Sequence, residues 1–216
     1  MKSRNEADAF DYGFYSDCLS ECVNSFGALP DLPIIKSHFD KISKYYSGGN
    51  VLDLGCGKAR VAQARLRLSD EVYHSLDTDP CGTFTYRSVE EIPENKTFAL
   101  VIANQVLEHL TLAESIKMVR VLQRHIKKGG YFIATVPNIA HPVRQHTNIT
   151  HVTCWEYKAL YALFKLCRFN VQEIARYSKR HPKGVIEKIV AYYVNRIYRI
   201  DWCDSILIVG QKSEAS

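Results

Sequence analysis

The chain has 216 residues and a formal net charge of +5; 46% of its residues are hydrophobic and 24% are charged. This length and composition predict one domain with a sizeable core and exclude wholesale disorder. No apolar run approaches the roughly 18 residues of a membrane span. Residues 1–10 lack the apolar segment of a secretory signal, and the seven cysteines are scattered. We therefore expect free thiols in a cytoplasmic protein with no transmembrane segment.

The positive charge is concentrated in residues 141–200, where eleven Lys or Arg stand against three Glu, a net charge of +8. Such a segment can face an acidic partner, or it can be a basic face exposed to solvent. The sequence favours the second interpretation, so nucleic acid is not the expected partner.

In the N-terminal part, apolar residues recur every three or four positions. This spacing predicts one helix over residues 5–28 and a second over residues 34–46. Cys18 and Cys22 lie four residues apart, which places both on one buried face of the first helix. Residues 1–46 are expected to form a helical cap.

From residue 47 onward, short apolar strands alternate with amphipathic helices. Strands are predicted over residues 51–54, 72–76, 83–87, 98–103, 131–136, 170–174 and 205–209, and helices over residues 58–68, 111–127 and 153–166. Thr111–Glu114 and Thr153–Glu156 have the spacing of capping boxes. The alternation predicts an α/β fold, a Rossmann-like, doubly wound, seven-stranded, mostly parallel sheet with helices on both faces. This domain spans residues 47–216, with a helical insertion at about 178–203.

A strand, a tight turn and a helix follow one another at residues 51–68. The strand delivers Asp53, the chain turns on Gly55 and Gly57, and the start of the helix offers unpaired N–H groups. A dinucleotide site needs a third glycine, but Arg60 occupies that position. Asp53 would also repel a pyrophosphate and attract a cation. The loop therefore favours S-adenosylmethionine, which is a sulfonium, over NAD.

A second acidic residue, Asp77, ends the next predicted strand, 24 residues after Asp53. A carboxylate at this position can accept hydrogen bonds from both hydroxyls of a ribose. The alternative is turn capping before Pro80, since Asp–Pro sequences favour turns. Next to the glycine loop, the ribose-binding interpretation is preferred.

The chain resembles the class I S-adenosylmethionine-dependent methyltransferases, which include the ubiquinone-biosynthesis O-methyltransferases and many natural-product and sugar methyltransferases. Five stretches carry the likeness: VLDLGCG, SLDTDP, SVEEIP, FALVIANQVLEHL and KKGGYFIATVPN. They cover about residues 34–176 and indicate fold and cofactor rather than substrate. The resemblance implies these cofactor-binding residues: Asp53, Gly55, Cys56 and Gly57 near the methionine part, Asp77 and Thr78 at the ribose, Ser88 and Val89 at the adenine, and Asn104 and Gln105 on the substrate side. Residues 77–83 are too few for the helix that normally links the second and third strands.

Several histidines fall where the resemblance places the acceptor. His109 begins a helix over the cofactor site and His151 lies on a loop facing the substrate, so both are candidate catalytic residues. Each has a structural alternative: a packing residue for His109, which is the preferred interpretation there, and a plain loop residue for His151. His141 and His146 are weaker candidates of the same kind.

The leading hypothesis is methyl transfer by in-line displacement to an oxygen of a small-molecule acceptor, without a metal ion. An alternative is that QVLEH, followed by VPN and HVTCW, resembles the small-RNA 2′-O-methyltransferases that terminate silencing RNAs. In that family two glutamates and two histidines surround a divalent metal. Glu108, His109 and His151 match by position, whereas Gln105 replaces the first glutamate. A third hypothesis is a cofactor-binding protein without catalytic activity.

The insertion contains an amphipathic, tyrosine-rich helix with basic residues. It can form a lid over the substrate, a contact in a homodimer or a membrane-surface element. The helix has few cations for its length, which favours a lid or a packing element over membrane binding.

Overall fold

One sheet runs through the centre of the chain in the computed structural model, which describes residues 11–144, 147–179 and 182–213. Its strands in these residues are β1 (Ile34–Ile35), β2 (Val51–Leu54), β3 (Tyr73–Leu76), β4 (Phe98–Asn104), β5 (Ile126–Pro137), β6 (Phe169–Tyr177) and β7 (Ser205–Lys212). They are arranged in the order β1-β6-β7-β5-β4-β2-β3. β7 runs antiparallel to both neighbours, and the other pairs are parallel. The predicted Rossmann-like, seven-stranded, mostly parallel sheet is confirmed.

Helices cover both faces of the sheet. Those in the described residues are α1 (Tyr12–Phe26), α2 (His38–Ser43), α3 (Val61–Leu66), α4 (Leu112–His125), α5 (Tyr157–Leu166) and α6 (Val185–Tyr198). Neighbouring residues of β4 point to opposite faces. Val101 and Ala103 pack in a core that includes α1, α4 and α5, whereas Leu100 and Ile102 pack in a core that includes α2 and α3. The sheet therefore separates two hydrophobic cores.

The two edges of the sheet differ from the prediction. Residues 83–87 form no strand; Tyr86 makes a single parallel bridge to Leu76. A parallel crossover needs about a dozen residues, and the segment between these two residues is shorter. The seventh strand is β1, which lies inside the range predicted as the second helix and pairs with β6. That helix begins later, where Ser37 Oγ caps it by accepting a hydrogen bond of 3.1 Å from the Asp40 N–H.

One of the two predicted capping boxes is present. The Oγ1 of Thr111 accepts a hydrogen bond from the Glu114 N–H at 3.3 Å, and the Glu114 carboxylate accepts one from the Thr111 N–H at 2.8 Å. The second box is wrong. Glu156 is itself the N-cap of α5, and the Thr153 hydroxyl donates to the Leu110 carbonyl instead.

The N-terminal segment contacts the rest of the chain through α1. Cys18 and Cys22 are buried on this helix, as predicted. Phe26 packs edge-to-face on Tyr161 of α5, with ring centroids 5.9 Å apart. Residues 1–10 lie outside the described part, and a domain boundary at residue 46 stays a prediction. Across the described ranges, no helix is both long and apolar enough to cross a membrane.

Candidate functional site

The glycine loop follows the carboxyl end of β2. Gly55 has a φ of +65°, and a Cβ there would lie 2.5 Å from Cγ2 of Val106, so both backbone and space require glycine. Gly57 also has a left-handed backbone, with a φ of +58°, but nothing in the described residues lies within 4 Å of its Cβ position. The main chain at Gly57 is therefore open to a ligand.

Asp53 is buried in β2, only 3% exposed, and accepts a hydrogen bond of 2.7 Å from the Tyr73 hydroxyl on β3. Burial raises the pKa of Asp53 from its ordinary value of 3.8 to about 6; the Tyr73 hydrogen bond opposes the rise, and the charge of Asp77 adds to it. At neutral pH the side chain is thus a carboxylate that water solvates poorly. A cation bound beside it would compensate this charge.

Asp77 lies at the end of β3 and reaches the glycine loop. Its Oδ2 accepts a hydrogen bond of 2.8 Å from the Gly57 N–H, and its Oδ1 accepts one of 2.9 Å from the Asp79 N–H. Thr78 beside it is exposed. Burial raises the pKa of the Cys56 thiol, between the two glycines, to about 11, so this thiol is protonated. The Asp77 carboxylate thus joins the two segments that the resemblance assigns to the cofactor, and one of its oxygens also caps the turn.

A loop, rather than a helix, borders the next part of the site, as the short segment after β3 predicts. Arg87 closes this loop by donating hydrogen bonds to the carbonyl oxygens of Asp79 and Gly82. Ser88 and Val89 follow it, with Val89 buried and Ser88 partly exposed at the start of a short 3-10 turn.

Asn104 and Gln105 lie where β4 ends. They are close to the glycine loop, since the next residue, Val106, packs against Gly55. The Oδ1 of Asn104 accepts a hydrogen bond of 2.6 Å from the Thr135 hydroxyl on β5. Gln105 has a φ of +59°, which is uncommon for a residue with a side chain, and its Nε2 donates to Thr135 Oγ1 at 3.2 Å. Both residues border a cavity of about 220 Å³.

Residues with polar side chains line this cavity, which lies at the carboxyl edge of the parallel strands. Its lining residues are His38, Asn104, Gln105, Thr135, Arg144, Tyr177, Lys179, Asp204 and Ser205. The Arg144 Nε donates to Asp204 Oδ1 at 2.7 Å. The Nε2 of His38 is buried without a hydrogen-bond partner among the described residues. Burial, together with the charge of Lys179, lowers the pKa of His38 to about 4. The imidazole is therefore neutral and has an unused polar atom.

Glu108, His109 and His151 form a second polar cluster. Glu108 is fully buried, and neither of its carboxylate oxygens has a hydrogen-bond partner in the described ranges. Burial raises the pKa of Glu108 to about 7. His151 Nε2 lies 4.0 Å from Glu108 Oε1, and the two imidazole rings are 5.0 Å apart between centroids. One ligand atom from each residue lies within 4.8 Å of the other two, so the cluster can hold a metal ion.

His141, one of the two weaker histidine candidates, joins neither group. The Nδ1 of His141 accepts hydrogen bonds from the N–H groups of Val143 and Arg144, at 3.2 and 3.3 Å, and so shapes its own loop. His146 lies outside the described residues.

A family model described as a methyltransferase domain matches residues 35–181, more than half of the chain. The chain belongs to this methyltransferase family. No curated protein sequence matches it at a significant level.

Three solved structures resemble the methyltransferase in fold. An S-adenosylmethionine-dependent methyltransferase from Archaeoglobus fulgidus has a TM-score of 0.63 at 17% identity, covering 94% of this chain and 100% of that one. A putative methyltransferase from Haloferax volcanii, in complex with the Trm112 methyltransferase activator, has a TM-score of 0.56 at 17% identity, covering 98% and 100%. The N-methyltransferase NodS from Bradyrhizobium japonicum has a TM-score of 0.52 at 12% identity, covering 94% and 99%. At these identities the likeness shows the fold alone.

Family and fold together confirm the prediction of a class I methyltransferase that uses S-adenosylmethionine. The structure of the methyltransferase brings Asp53, the glycine loop and Asp77 together, as predicted. His109 and His151 also meet, but neither lines the cavity beside Asn104. Sequence analysis missed the other cavity residues, because they come from segments that only the sheet order brings together.

Proposed function

We propose that this methyltransferase transfers the methyl group of S-adenosylmethionine to an oxygen of a small molecule in the cytoplasm, and that the cavity beside Asn104 holds the acceptor. The position of this cavity carries the proposal. Asn104 lines it, and Val106, two residues further on, covers Gly55 in the cofactor loop. A volume of about 220 Å³ suits a small molecule better than a polymer.

The residues of the site mainly bind and orient. When bound, S-adenosylmethionine supplies an activated methyl group on a positively charged sulfur, open to in-line displacement by an oxygen. Asp53 provides negative charge for the amino group of the cofactor, and Asp77 provides oxygens for the ribose hydroxyls. In the cavity, the neutral imidazole of His38 can form a hydrogen bond with the acceptor hydroxyl and so orient its oxygen.

Calorimetry with S-adenosylmethionine and transfer assays with a labelled methyl donor test this proposal. Asp77→Asn should weaken cofactor binding by at least about ten-fold, which is about 1.4 kcal/mol. His38→Ala should slow transfer to a hydroxylated acceptor and leave cofactor affinity unchanged. Asp70→Asn, at an exposed carboxylate, is the control.

Each part of the proposal can fail separately. Wild-type affinity in Asp77→Asn would remove the ribose assignment. Transfer to amines alone would rule out an oxygen acceptor. Tight cofactor binding without turnover on any hydroxylated, amine or RNA acceptor would favour the catalytically inactive, cofactor-binding alternative.

A second candidate function is metal-assisted methylation of the 2′-hydroxyl at an RNA 3′ end. The observation that favours it is the fully buried Glu108, whose oxygens have no hydrogen-bond partner in the described ranges and lie next to His109 and His151. One carboxylate and two imidazoles suit an ion such as Mn²⁺ or Zn²⁺. These residues would hold the ion, which would supply Lewis-acid activation of the hydroxyl. Gln105 offers a neutral amide in place of the first glutamate, and its amide nitrogen donates to Thr135.

Equilibrium binding of MnCl₂, measured without RNA or cofactor, tests the second candidate independently of activity. Wild type should bind Mn²⁺, and Glu108→Gln should weaken binding by at least about ten-fold, since a ligand is lost. Glu90→Gln, at an exposed carboxylate, is the matched control. Equal binding by wild type and Glu108→Gln would eliminate this candidate and leave the first intact. Mn²⁺-stimulated transfer to an RNA 3′ end that Glu108→Gln abolishes would promote it.

A further inference from the structure

The helix α6 carries its apolar residues on the side that faces solvent. Seven of them are 50% to 77% exposed: Tyr198, which lies apart on the helix surface, and a group formed by Val185, Ile186, Ile189, Val190, Tyr193 and Ile197. We call this group of six residues the α6 apolar face. Asn195 is the one residue of α6 that is buried. Helices at the surface of a globular domain normally show the opposite arrangement, with apolar residues turned towards the core.

Helix geometry shows that this exposure is organised. At 3.6 residues per turn, the six residues fall within one arc of less than half the circumference, and Asn195 falls opposite to it. A helix of 14 residues is about 21 Å long, so the α6 apolar face is a continuous strip. Its residues are not scattered exposed side chains, which would need no explanation.

The cations of α6 lie on one side of the midline of this strip. The same helix geometry places Lys188 and Arg199 just outside the edge of the strip at Val185 and Arg196 just inside it, and all three are exposed. The acidic Glu187 lies on the far side, where its carboxylate accepts hydrogen bonds from the N–H groups of Lys183 and Gly184 at the start of the helix. The side of the apolar face that carries these cations therefore has no carboxylate of α6.

We propose that α6 docks on an anionic membrane surface. An apolar strip with cations along its edge allows the side chains to enter the boundary of the acyl chains while Lys188 and Arg196 meet anionic headgroups. Trp202, half-exposed just after α6, has an aromatic ring of the kind that favours the headgroup level. No part of this proposal depends on the identity of the methyl acceptor.

The charge pattern disfavours a second copy of the chain as the occupant. In an antiparallel two-fold pair of α6 helices packed face to face, the two cationic edges come to lie on the same side. Lys188 of one copy would approach Arg196 and Arg199 of the other, and no carboxylate of α6 is near enough to neutralise them. An anionic lipid surface compensates the same charges.

The segment that follows α6, which we call the root of α6 and which includes Asp201, lies beside the cavity proposed for the acceptor. The Asp201 N–H donates to the Ala140 carbonyl at 3.0 Å, and Asn138 Nδ2 donates to Asp201 Oδ2 at 2.8 Å. Tyr177 and Lys179, which line the cavity, precede the insertion. Docking through α6 would therefore hold the cavity close to the lipid surface.

Co-sedimentation of the full chain with lipid vesicles tests the proposal. Wild type should bind vesicles of phosphatidylglycerol and phosphatidylcholine, bind weakly to phosphatidylcholine alone, and release at high salt. Lys188→Gln with Arg196→Gln should weaken binding to the anionic vesicles roughly twenty-fold. Ile186→Asp with Ile189→Asp should abolish it. Leu112→Asp, at an exposed apolar residue of α4, is the control and should bind like wild type.

Two further measurements decide between the membrane and other occupants. The fluorescence of Trp202 should shift to shorter wavelength with anionic vesicles, and Trp202→Phe should lose this shift, because Trp155 is buried. Absence of vesicle binding by wild type would overturn the proposal. Unchanged vesicle binding by Ile186→Asp with Ile189→Asp would overturn it as well. The third contrary result is a wild type that does not bind vesicles but forms concentration-dependent dimers, together with a monomeric Ile186→Asp, Ile189→Asp variant.

Discussion

At the scale of single residues, the buried, ionised carboxylate of Asp53 lowers the free energy of unfolding. Its pKa in the folded chain, about 6, is above its ordinary value of 3.8, so between these pH values the folded state binds more protons than the unfolded state. The free energy of unfolding therefore falls as the pH rises through this range, and the full deficit of about 3 kcal/mol is present above pH 6. A buried carboxylate that lowers stability is what a site for a cationic ligand requires.

We expect Asp53→Asn to raise the free energy of unfolding by up to about 3 kcal/mol at pH 8, and by less at pH 5. The amide removes the buried charge and can still accept the Tyr73 hydrogen bond. The same variant should bind S-adenosylmethionine more weakly at pH 8. In wild type, affinity should fall about ten-fold per pH unit below pH 6, as Asp53 becomes protonated.

Urea unfolding and calorimetry at the two pH values measure both effects of Asp53→Asn. Asp70→Asn should change neither quantity. A variant that loses stability at pH 8, or one that keeps wild-type affinity, contradicts the role given to Asp53.

At the scale of the element, the two glycines of the loop should respond differently to alanine. Gly55→Ala meets both a left-handed backbone, which costs about 1–2 kcal/mol, and the Cγ2 of Val106. Gly57→Ala meets only the backbone cost, so the fold should tolerate it better, while its new methyl group would occupy the open space in which we propose that the cofactor binds. Gly55→Ala should thus lower the free energy of unfolding more than Gly57→Ala does. Gly57→Ala should in turn weaken cofactor binding more than its smaller effect on stability would suggest.

A double-mutant cycle isolates the contact in the glycine loop. Gly55→Ala combined with Val106→Ala should recover part of the lost free energy of unfolding, with a coupling of about 0.5–3 kcal/mol. Gly57→Ala combined with Val106→Ala should show no coupling. Strict additivity in the first pair would mean that Val106 does not restrict Gly55.

The sequence predicts elements well where the cause is local. Thr111 and Glu114 cap α4 across three residues, and the glycine loop follows from the backbone freedom of its own residues. Ile34–Ile35 also fits a helical spacing, but its extended conformation depends on pairing with β6, far away in the sequence. No local sequence pattern indicates that pairing, so a helix is wrongly predicted at Ile34–Ile35.

At the scale of the whole molecule, the same limit applies to the cavity beside Asn104. Asn104 follows a recognisable motif, whereas His38, Tyr177 and Ser205 come from separate segments. They meet because β6 and β1 lie beyond β7 in the sheet, and because the antiparallel β7 begins at the edge where the parallel strands end. The residues proposed to bind the cofactor are thus predictable from motifs, and those proposed to bind the acceptor require the topology.

A buried ion pair joins these distant segments. Arg176 on β6 and Asp201 after α6 are 7% and 6% exposed, with Arg176 Nη1 3.2 Å from Asp201 Oδ1. The Arg176 guanidinium also donates to the carbonyl oxygens of Pro30 and Leu32 in the N-terminal segment. Removing one partner leaves the other charge buried and unpaired. We therefore expect Asp201→Ala to lower the free energy of unfolding by about 3–5 kcal/mol.

The exposed ion pair of Glu90 and Lys117, 2.9 Å long, is the matched control for Asp201→Ala. Glu90→Ala should cost less than about 1 kcal/mol, because solvent screens that pair. Urea unfolding of both variants measures the difference. Limited proteolysis should also cut Asp201→Ala faster near residues 28–33, since the guanidinium that holds the Pro30 and Leu32 carbonyls has lost its counter-ion. Equal costs for the two variants would mean that the buried pair does not fasten the N-terminal segment and the root of α6 to the sheet.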